Sequence, residues 1–255
     1  MIRYWLGRSY LLFIYLLLYT PLIVLVIWSF NDAKYSGLWQ GFTGQWYQAL
    51  WHDQHLHTIF EHSLTIGLLA ATVGTIIGAL GAFALYKYRF IGKRLIFGLI
   101  LVLIIVPDLV MGVSLLLLFH FLNWGLGFWT LLLAHITFCI PFVVVLVSNR
   151  LADTDASLIE AAKDLGANDQ TIFWRIIIPI MGPALVSSWC LSFTLSFDDV
   201  IISTFVSGPD FQILPLYIFN QVKLGETGEL NALCSIILLV TVTIAIIYQL
   251  LRSKR

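Results

Sequence analysis

Glu160-Ala161-Ala162-Lys163-Asp164-Leu165-Gly166, followed after nine residues by Ile176-Ile177-Ile178-Pro179, lies in a polar loop between two long apolar segments. The loop predicts a short amphipathic helix with Leu158, Ile159, Ala162 and Leu165 on one side and Glu160, Lys163 and Asp164 turned elsewhere. Helices commonly end where a glycine takes left-handed dihedrals, so Gly166 is placed to reverse the chain. Asn168 or Asp169 then caps a second helix running to Pro179. The expected unit is a protruding helix-turn-helix, and the flanking sequence decides what it protrudes from.

Those flanks are apolar. With 60% hydrophobic and only 11% charged residues, the chain is far from a soluble balance, and an all-α integral membrane protein is expected. Charge-free runs cover 9–31, 63–86, 109–149, 176–197 and 230–251, whereas one crossing needs only about 20 residues of helix. The third run is too long for one crossing, and Asn123-Trp124-Gly125-Leu126-Gly127 supplies a turn inside it. Six spans follow, near 10–30, 63–86, 96–122, 128–148, 182–205 and 232–251, with a coupling loop over 149–181, all in one domain covering 1–255. The first run has no small-residue cleavage site after it and reads as a retained helix.

Lysine and arginine near span ends are retained on the cytoplasmic side. Of the 14 such residues, Arg3, Arg8, Lys87, Arg89, Lys93, Arg94, Arg150, Lys163, Arg175, Arg252, Lys254 and Arg255 fall in one set of loops, and only Lys34 and Lys223 in the other. The split predicts both termini, and the Glu160 helix pair, in the cytoplasm. The opposite loops carry Asp32, Asp53, Glu61, Asp210, Glu226 and Glu229, so a net charge of zero hides an acidic outer face suited to arriving cations.

Within the spans, Ala70, Gly74, Gly78 and Ala82 form a small-residue stripe for close helix packing. Pro107, Pro141 and Pro183 are expected to kink or break their helices, because each lacks a backbone donor and crowds the preceding turn. The sharper signal is acidic. An aspartate at mid-bilayer costs roughly 2.5–3.5 kcal/mol on insertion scales, and Asp108, Asp198 and Asp199 lie inside proposed spans with no lysine or arginine beside them. A water-filled pathway for a cationic solute accommodates them, and an interhelical hydrogen-bonded contact is the alternative, strongest for Asp199. Adjacent helical residues point about 100° apart, so Asp198 and Asp199 share one narrow path only if the helix breaks there.

Other polar residues read more plainly. His52, His55, His57 and His62 match no zinc spacing, so no metal site is expected. His120 and His135 are lone intramembrane histidines suited to packing or a satisfied hydrogen bond. Cys139, Cys190 and Cys234 all fall within spans, away from any loop where an oxidising compartment would pair them. Tryptophans and tyrosines near span ends form an interfacial belt. The only Gly-Lys pair, Gly92-Lys93, lacks a glycine five residues earlier, so no nucleotide-binding loop is present and any ATP-driven step belongs to another chain. The apolar side of the loop helix, Leu158 and Leu165 included, suits a groove on such a partner, with Glu160 meeting a basic side chain.

Glu160-Ala161-Ala162, three residues, Gly166, nine residues, then Ile176, one residue and Ile178-Pro179 resembles the cytoplasmic "EAA" signature of bacterial ABC importer permeases, with Ile178 where leucine is usual. Ser29-Phe30-Asn31, Gly41-Phe42-Thr43, 135–139 and 191–199 are similar to the second permease subunit of spermidine/putrescine importers. The resemblance runs through nearly all of the chain. It implies the ABC type I importer permease fold in a bacterial inner membrane, with a second similar permease, two copies of a cytoplasmic ATPase holding ATP and Mg, and a periplasmic polyamine-binding protein. This chain itself would be non-catalytic, carry no cofactor and have no nucleic-acid partner. By motif, Glu160, Ala161, Ala162 and Gly166 would couple to the ATPase, while Asp108 and Asp198 would attract or pass ammonium groups, with Asp199 beside them on the pathway. Related permeases for other solutes share much of this scaffold. An ion-coupled secondary carrier would use intramembrane aspartates but need no EAA-like loop, and a membrane aspartyl protease is disfavoured because Asp198 and Asp199 diverge on a helix.

Overall fold

The long apolar runs of the sequence are helical, the longest of them broken at 122–127 where a turn was expected. The structure, a computed structural model, describes residues 2–35, 37–225 and 227–252; Glu226, Lys254 and Arg255 of the charge count above lie outside the described residues. In chain order the helices are α1 (Ile2–Trp28), α2 (Gln45–His52), α3 (Gln54–Lys87), α4 (Lys93–Ile105), α5 (Asp108–Phe121), α6 (Phe128–Ala152), α7 (Ala156–Asp164), α8 (Asp169–Ile172), a π-helical turn Phe173–Ile177, α9 (Ile178–Asp198), α10 (Ile201–Val206), α11 (Leu214–Leu224) and α12 (Gly228–Arg252). Among the described residues there is no strand, only isolated bridges at Asn31 with Phe42 and Tyr35 with Thr227. Five helices among the described residues are long and apolar enough to cross a membrane, and α4 with α5 makes a sixth if the bent pair is one span.

Where one domain was expected, the chain divides into two compact units, residues 1–57 with 218–255, and residues 58–217. The first unit forms because α12 packs on both α1 and α2, bringing the two ends of the sequence together. Its connecting loop is cross-tied: Asn31 Oδ1 accepts from the Gln40 amide at 2.8 Å, Thr43 N donates to the Phe30 carbonyl at 2.8 Å, and Phe30 stacks on Phe42 at 5.1 Å. Ser29-Phe30-Asn31 and Gly41-Phe42-Thr43 are thus two sides of one loop.

The second unit is organised around α6, which is apolar all round and accordingly buried on most of its length, the usual fate of such a helix. One end of its core joins Ile66, Phe119, Leu131, Ala134 and Ile202; the other joins Ala79, Ala82, Val143, Val147, Leu151 and Ile177. The small-residue stripe of α3 faces α6. A Cβ on Gly78 would sit 2.7 Å from Val143 Cβ, and one on Gly74 3.0 Å from Cys139 Cβ. On α9, Ser188, Ser192 and Ser196 recur every four residues and are all buried, in a helix that packs closely along α6.

Two proposed spans are interrupted. The stretch expected as 96–122 is α4 and α5, bent by 109° at Val106-Pro107, because Pro107 holds its predecessor extended and cannot donate into α4. The stretch expected as 182–205 is α9 and α10, parted at Asp199, whose ψ of 127° is extended. Pro141 and Pro183, by contrast, stay inside continuous helices. The second loop helix does not stop at Pro179 either, because 169–198 is one 30-residue helical stretch. Pro179 removes the amide that an α-helix would direct to the Arg175 carbonyl, and the wider π turn Phe173–Ile177 spans that position.

Candidate functional site

The polar loop builds the expected helix-turn-helix. Asp155 caps α7, accepting from the Ser157 amide at 2.9 Å, and hydrogen bonding by Ser157, backbone first, holds the Asp155 carboxyl below the usual carboxylate range. At the far end Gly166, with φ of +82°, reverses the chain. Its amide donates to the Lys163 carbonyl at 2.8 Å and the Ala167 amide to the Ala162 carbonyl at 3.0 Å, the paired bonds of a Schellman turn. Asn168, not Asp169, caps α8, its Oδ1 accepting from the Thr171 amide at 2.8 Å.

The apolar side of α7 is divided between two surfaces. Ile159 and Ala162 pack into the core beside Leu151 and Ile172, whereas Leu158 and Leu165 are exposed, alongside Glu160 and Ala161. One-sidedness was the expectation for all four; three- and four-residue steps instead wrap them over an arc wide enough to serve both an inner and an outer contact. The outer face therefore presents Leu158, Glu160, Ala161 and Leu165 together. Its base is fixed by an ion pair of Lys87 with Asp169 at 2.9 Å and by Arg150 Nε donating to the Ile180 carbonyl at 3.0 Å.

The three intramembrane aspartates occupy helix breaks and differ in environment. Asp108 is the first residue of α5 and half-buried, where its negative charge meets the positive end of the helix dipole. Asp199 is 8% exposed and caps α10. Its Oδ1 accepts from the Ile202 amide at 3.2 Å, and its Oδ2 accepts from the Ser203 amide at 2.8 Å and hydroxyl at 2.7 Å. Fully buried His135 stands 3.5 Å from Asp199 Oδ2 and bridges Ser196 Oγ at 2.7 Å and Ser203 Oγ at 3.0 Å. The oxygens of Asp199, expected beside the pathway, are engaged within the break itself. Asp198 is the opposite case. It is exposed at the last position of α9, and among the described residues it has neither a hydrogen bond nor an ion-pair partner. There the negative end of the α9 dipole adds to its own charge, which makes it the stronger attractor for a cation.

The α5 and α10 segments following the two breaks pack closely: a Cβ on Gly112 would meet Phe205 at 2.8 Å and Ile202 Cα at 3.2 Å. The sequence left His135 as a lone histidine. Its role was signalled only by Ser196, Asp199 and Ser203 recurring at steps of three and four in otherwise apolar sequence, polar groups that must find one another in lipid. Nearby, Trp189, Phe193 and Phe197 stack successively at 5.8 and 5.5 Å along α9. Of the histidines expected to lack a metal role, His62 stacks on Phe211 at 4.1 Å and His57 lies 3.2 Å from the Trp51 carbonyl.

Comparison with known proteins places this geometry in context. The model of the family described as "Binding-protein-dependent transport system inner membrane component" matches residues 73–255. The chain is 47% identical over 254 residues to the spermidine/putrescine transport system permease protein PotC of Haemophilus influenzae, covering 100% of this chain and 99% of the relative. It is 42% identical over 228 residues to the putrescine transport system permease protein PotI of Escherichia coli, covering 87% and 81%. The fold also superimposes on a bacterial ABC transporter involved in import of the acidic polysaccharide alginate, with a TM-score of 0.74 at 20% identity, covering 98% and 95% of the two chains.

Proposed function

The chain belongs to the family of binding-protein-dependent transport system inner membrane components, and we propose that it passes polyamines, spermidine and putrescine, through one half of an ATP-driven import pathway. It is a non-catalytic, membrane-spanning permease subunit of an ABC importer, and ATP hydrolysis belongs to a separate subunit. The observation that carries the substrate class is Asp198, an exposed carboxylate at a broken membrane helix with no ion-pair partner among the described residues. A polyammonium ion supplies the missing charge. The full-length similarity to a spermidine/putrescine permease supports the same chemistry.

In this reading Asp198 and Asp108 face the route and exchange contacts with successive ammonium groups, while Asp199 acts from behind, fixing the geometry of the α9–α10 break together with His135. The outer face of α7, with Glu160 and Ala161 of the signature and Leu158 and Leu165 as its apolar anchors, seats in a cleft of the ATPase, while Ala162 packs inward and Gly166 makes the turn. The complete importer then comprises a second homologous permease, two ATPase copies that bind ATP and Mg, and a periplasmic polyamine-binding protein. The lysine and arginine distribution supports an inner-membrane orientation with both termini in the cytoplasm.

The test is uptake of labelled spermidine, with putrescine as competitor, in transport-deficient cells carrying the importer with and without this subunit. Asp198→Asn and Asp108→Asn should lower uptake while the complex still assembles, and Glu160→Ala should uncouple or detach the ATPase. Undiminished uptake in the aspartate variants removes those residues from the route. An assembled complex that hydrolyses ATP but moves no polyamine sends the permease to another solute.

A further inference from the structure

Behind the coupling helix lies a cavity of about 440 Å³ whose rim carries Lys87, Arg89, Lys93 and Lys163, with Asp169 as the one carboxylate. That carboxylate is paired with Lys87 at 2.9 Å and is also felt by Lys163, so Arg89 and Lys93 face a space with no further carboxylate in its lining. The floor is apolar, with Phe83, Ile172 and Phe173 among its residues and the Phe83 and Phe173 rings 4.9 Å apart. A space with a cationic rim and an apolar floor suits an amphiphilic anion.

Its depth in the membrane follows from the chain itself. Lys87 ends the apolar helix α3 and Lys93 begins the apolar helix α4, so the cavity opens where two membrane helices leave and re-enter the hydrocarbon. Between them Tyr88, Phe90 and Ile91 are exposed, alternating with Arg89 and followed by Lys93 and Arg94. Exposed apolar side chains interleaved with cations are the composition of a segment lying in the headgroup layer.

We propose that this cavity binds the phosphate headgroup of an anionic phospholipid, with Arg89 and Lys93 as its principal ligands and the Lys163 side of α7 as its far wall. Because Ile159 and Lys163 belong to α7, a bound lipid links that helix to the membrane surface and steadies the outer face that meets the ATPase. The importer's hydrolysis therefore responds to the anionic lipid content of the bilayer.

The test uses the complete complex in nanodiscs of phosphatidylcholine with or without phosphatidylglycerol, together with native mass spectrometry of lipid retained in detergent. Each cation near a membrane surface contributes about fivefold in affinity, so R89Q/K93Q should weaken phosphatidylglycerol retention about 25-fold. The variant should also lose the phosphatidylglycerol stimulation of ATP hydrolysis while matching the parent in pure phosphatidylcholine. Equal retention and stimulation in variant and parent overturn the proposal. So does a variant that loses hydrolysis in phosphatidylcholine as well, since the cavity would then be part of a protein contact. Inorganic phosphate reproducing the whole stimulation gives the site to a soluble anion and also overturns the lipid assignment. Should the double variant fail to assemble, Arg89→Gln alone is expected to show about a fivefold loss in the same lipid count, and an unchanged count refutes the proposal.

Discussion

Replacing Gly166 by alanine isolates one physical quantity. The residue holds φ at +82° inside a Schellman turn, and a Cβ built there meets nothing within 4 Å. No packing changes, so the whole effect is the cost of left-handed backbone for an L-residue, about 1–2 kcal/mol. In the equilibrium between the closed turn and its frayed form that is roughly 5- to 30-fold. Asparagine tolerates this region better and should recover part of the loss. Proline should be worst, because its φ is locked near −65° and it deletes the amide that donates to Lys163 at 2.8 Å. The assay is hydrogen exchange of the Leu165 and Ala167 amides in the assembled complex, alongside ATP-driven uptake. Protection should fall in the order glycine, asparagine, alanine, proline, with uptake following. Equal protection for alanine and glycine, or asparagine no better than alanine, refutes the argument that backbone conformation fixes this residue.

Three other perturbations have defined outcomes. His135→Ala leaves the buried Ser196 hydroxyl without its partner and removes one contact each from Ser203 and Asp199, which keep their mutual bonds, at about 1–3 kcal/mol for the unsatisfied hydroxyl; an unchanged melting temperature of the purified complex would show that the histidine does not hold the break. Gly78→Ala should cost about 1–3 kcal/mol by overpacking, since its Cβ would lie 2.7 Å from Val143 Cβ, whereas Gly81→Ala, with 3.8 Å to Val144 Cγ2, should be near neutral; equal thermal stability of the two variants contradicts the packing assignment. The Asp155 carboxyl sits below its ordinary value when folded, so its support of α7 is full above the unfolded pKa and fades as pH falls through the folded one. Asp155→Asn keeps a cap that does not titrate, and the acid-side loss of α7 amide protection, corrected for intrinsic exchange, should flatten in that variant.

Much of this fold was legible because lipid imposes a simple demand: long runs without charge must become helices, and their backbone must be satisfied internally. The turn at Gly166, a cap at Asn168 or Asp169 and the interruption at Pro107 were legible too, since each rests on local residue preference, although the choice of Asn168 came only with the structure. What escaped the sequence was long-range or depended on competing local forces. Asp199 is held by His135 on another helix, a pairing no nearby residue announces. The helix continues through Pro179 because a π turn absorbs the missing donor, a compensation with no sequence signature of its own. The division of α7 into Ile159 and Ala162 inward and Leu158 and Leu165 outward depends on where the body lies, which periodicity alone does not locate.

The continuity of 169–198 joins the two halves of the site mechanically. Thirty residues of helix at 1.5 Å each make a rod of about 45 Å, with the Asn168 cap at one end and Asp198 at the other. If this stretch moves as one body along α6, against which it packs, a displacement of the α7–α8 turn reappears at the α9–α10 break. The break is where such a shift is absorbed, because Asp199 is extended and no α-helical bond crosses it. His135 then has a reason to be there: by gripping Ser196 before the break and Ser203 after it, it limits how far the two segments part while Asp198, just outside that grip, moves with the rod.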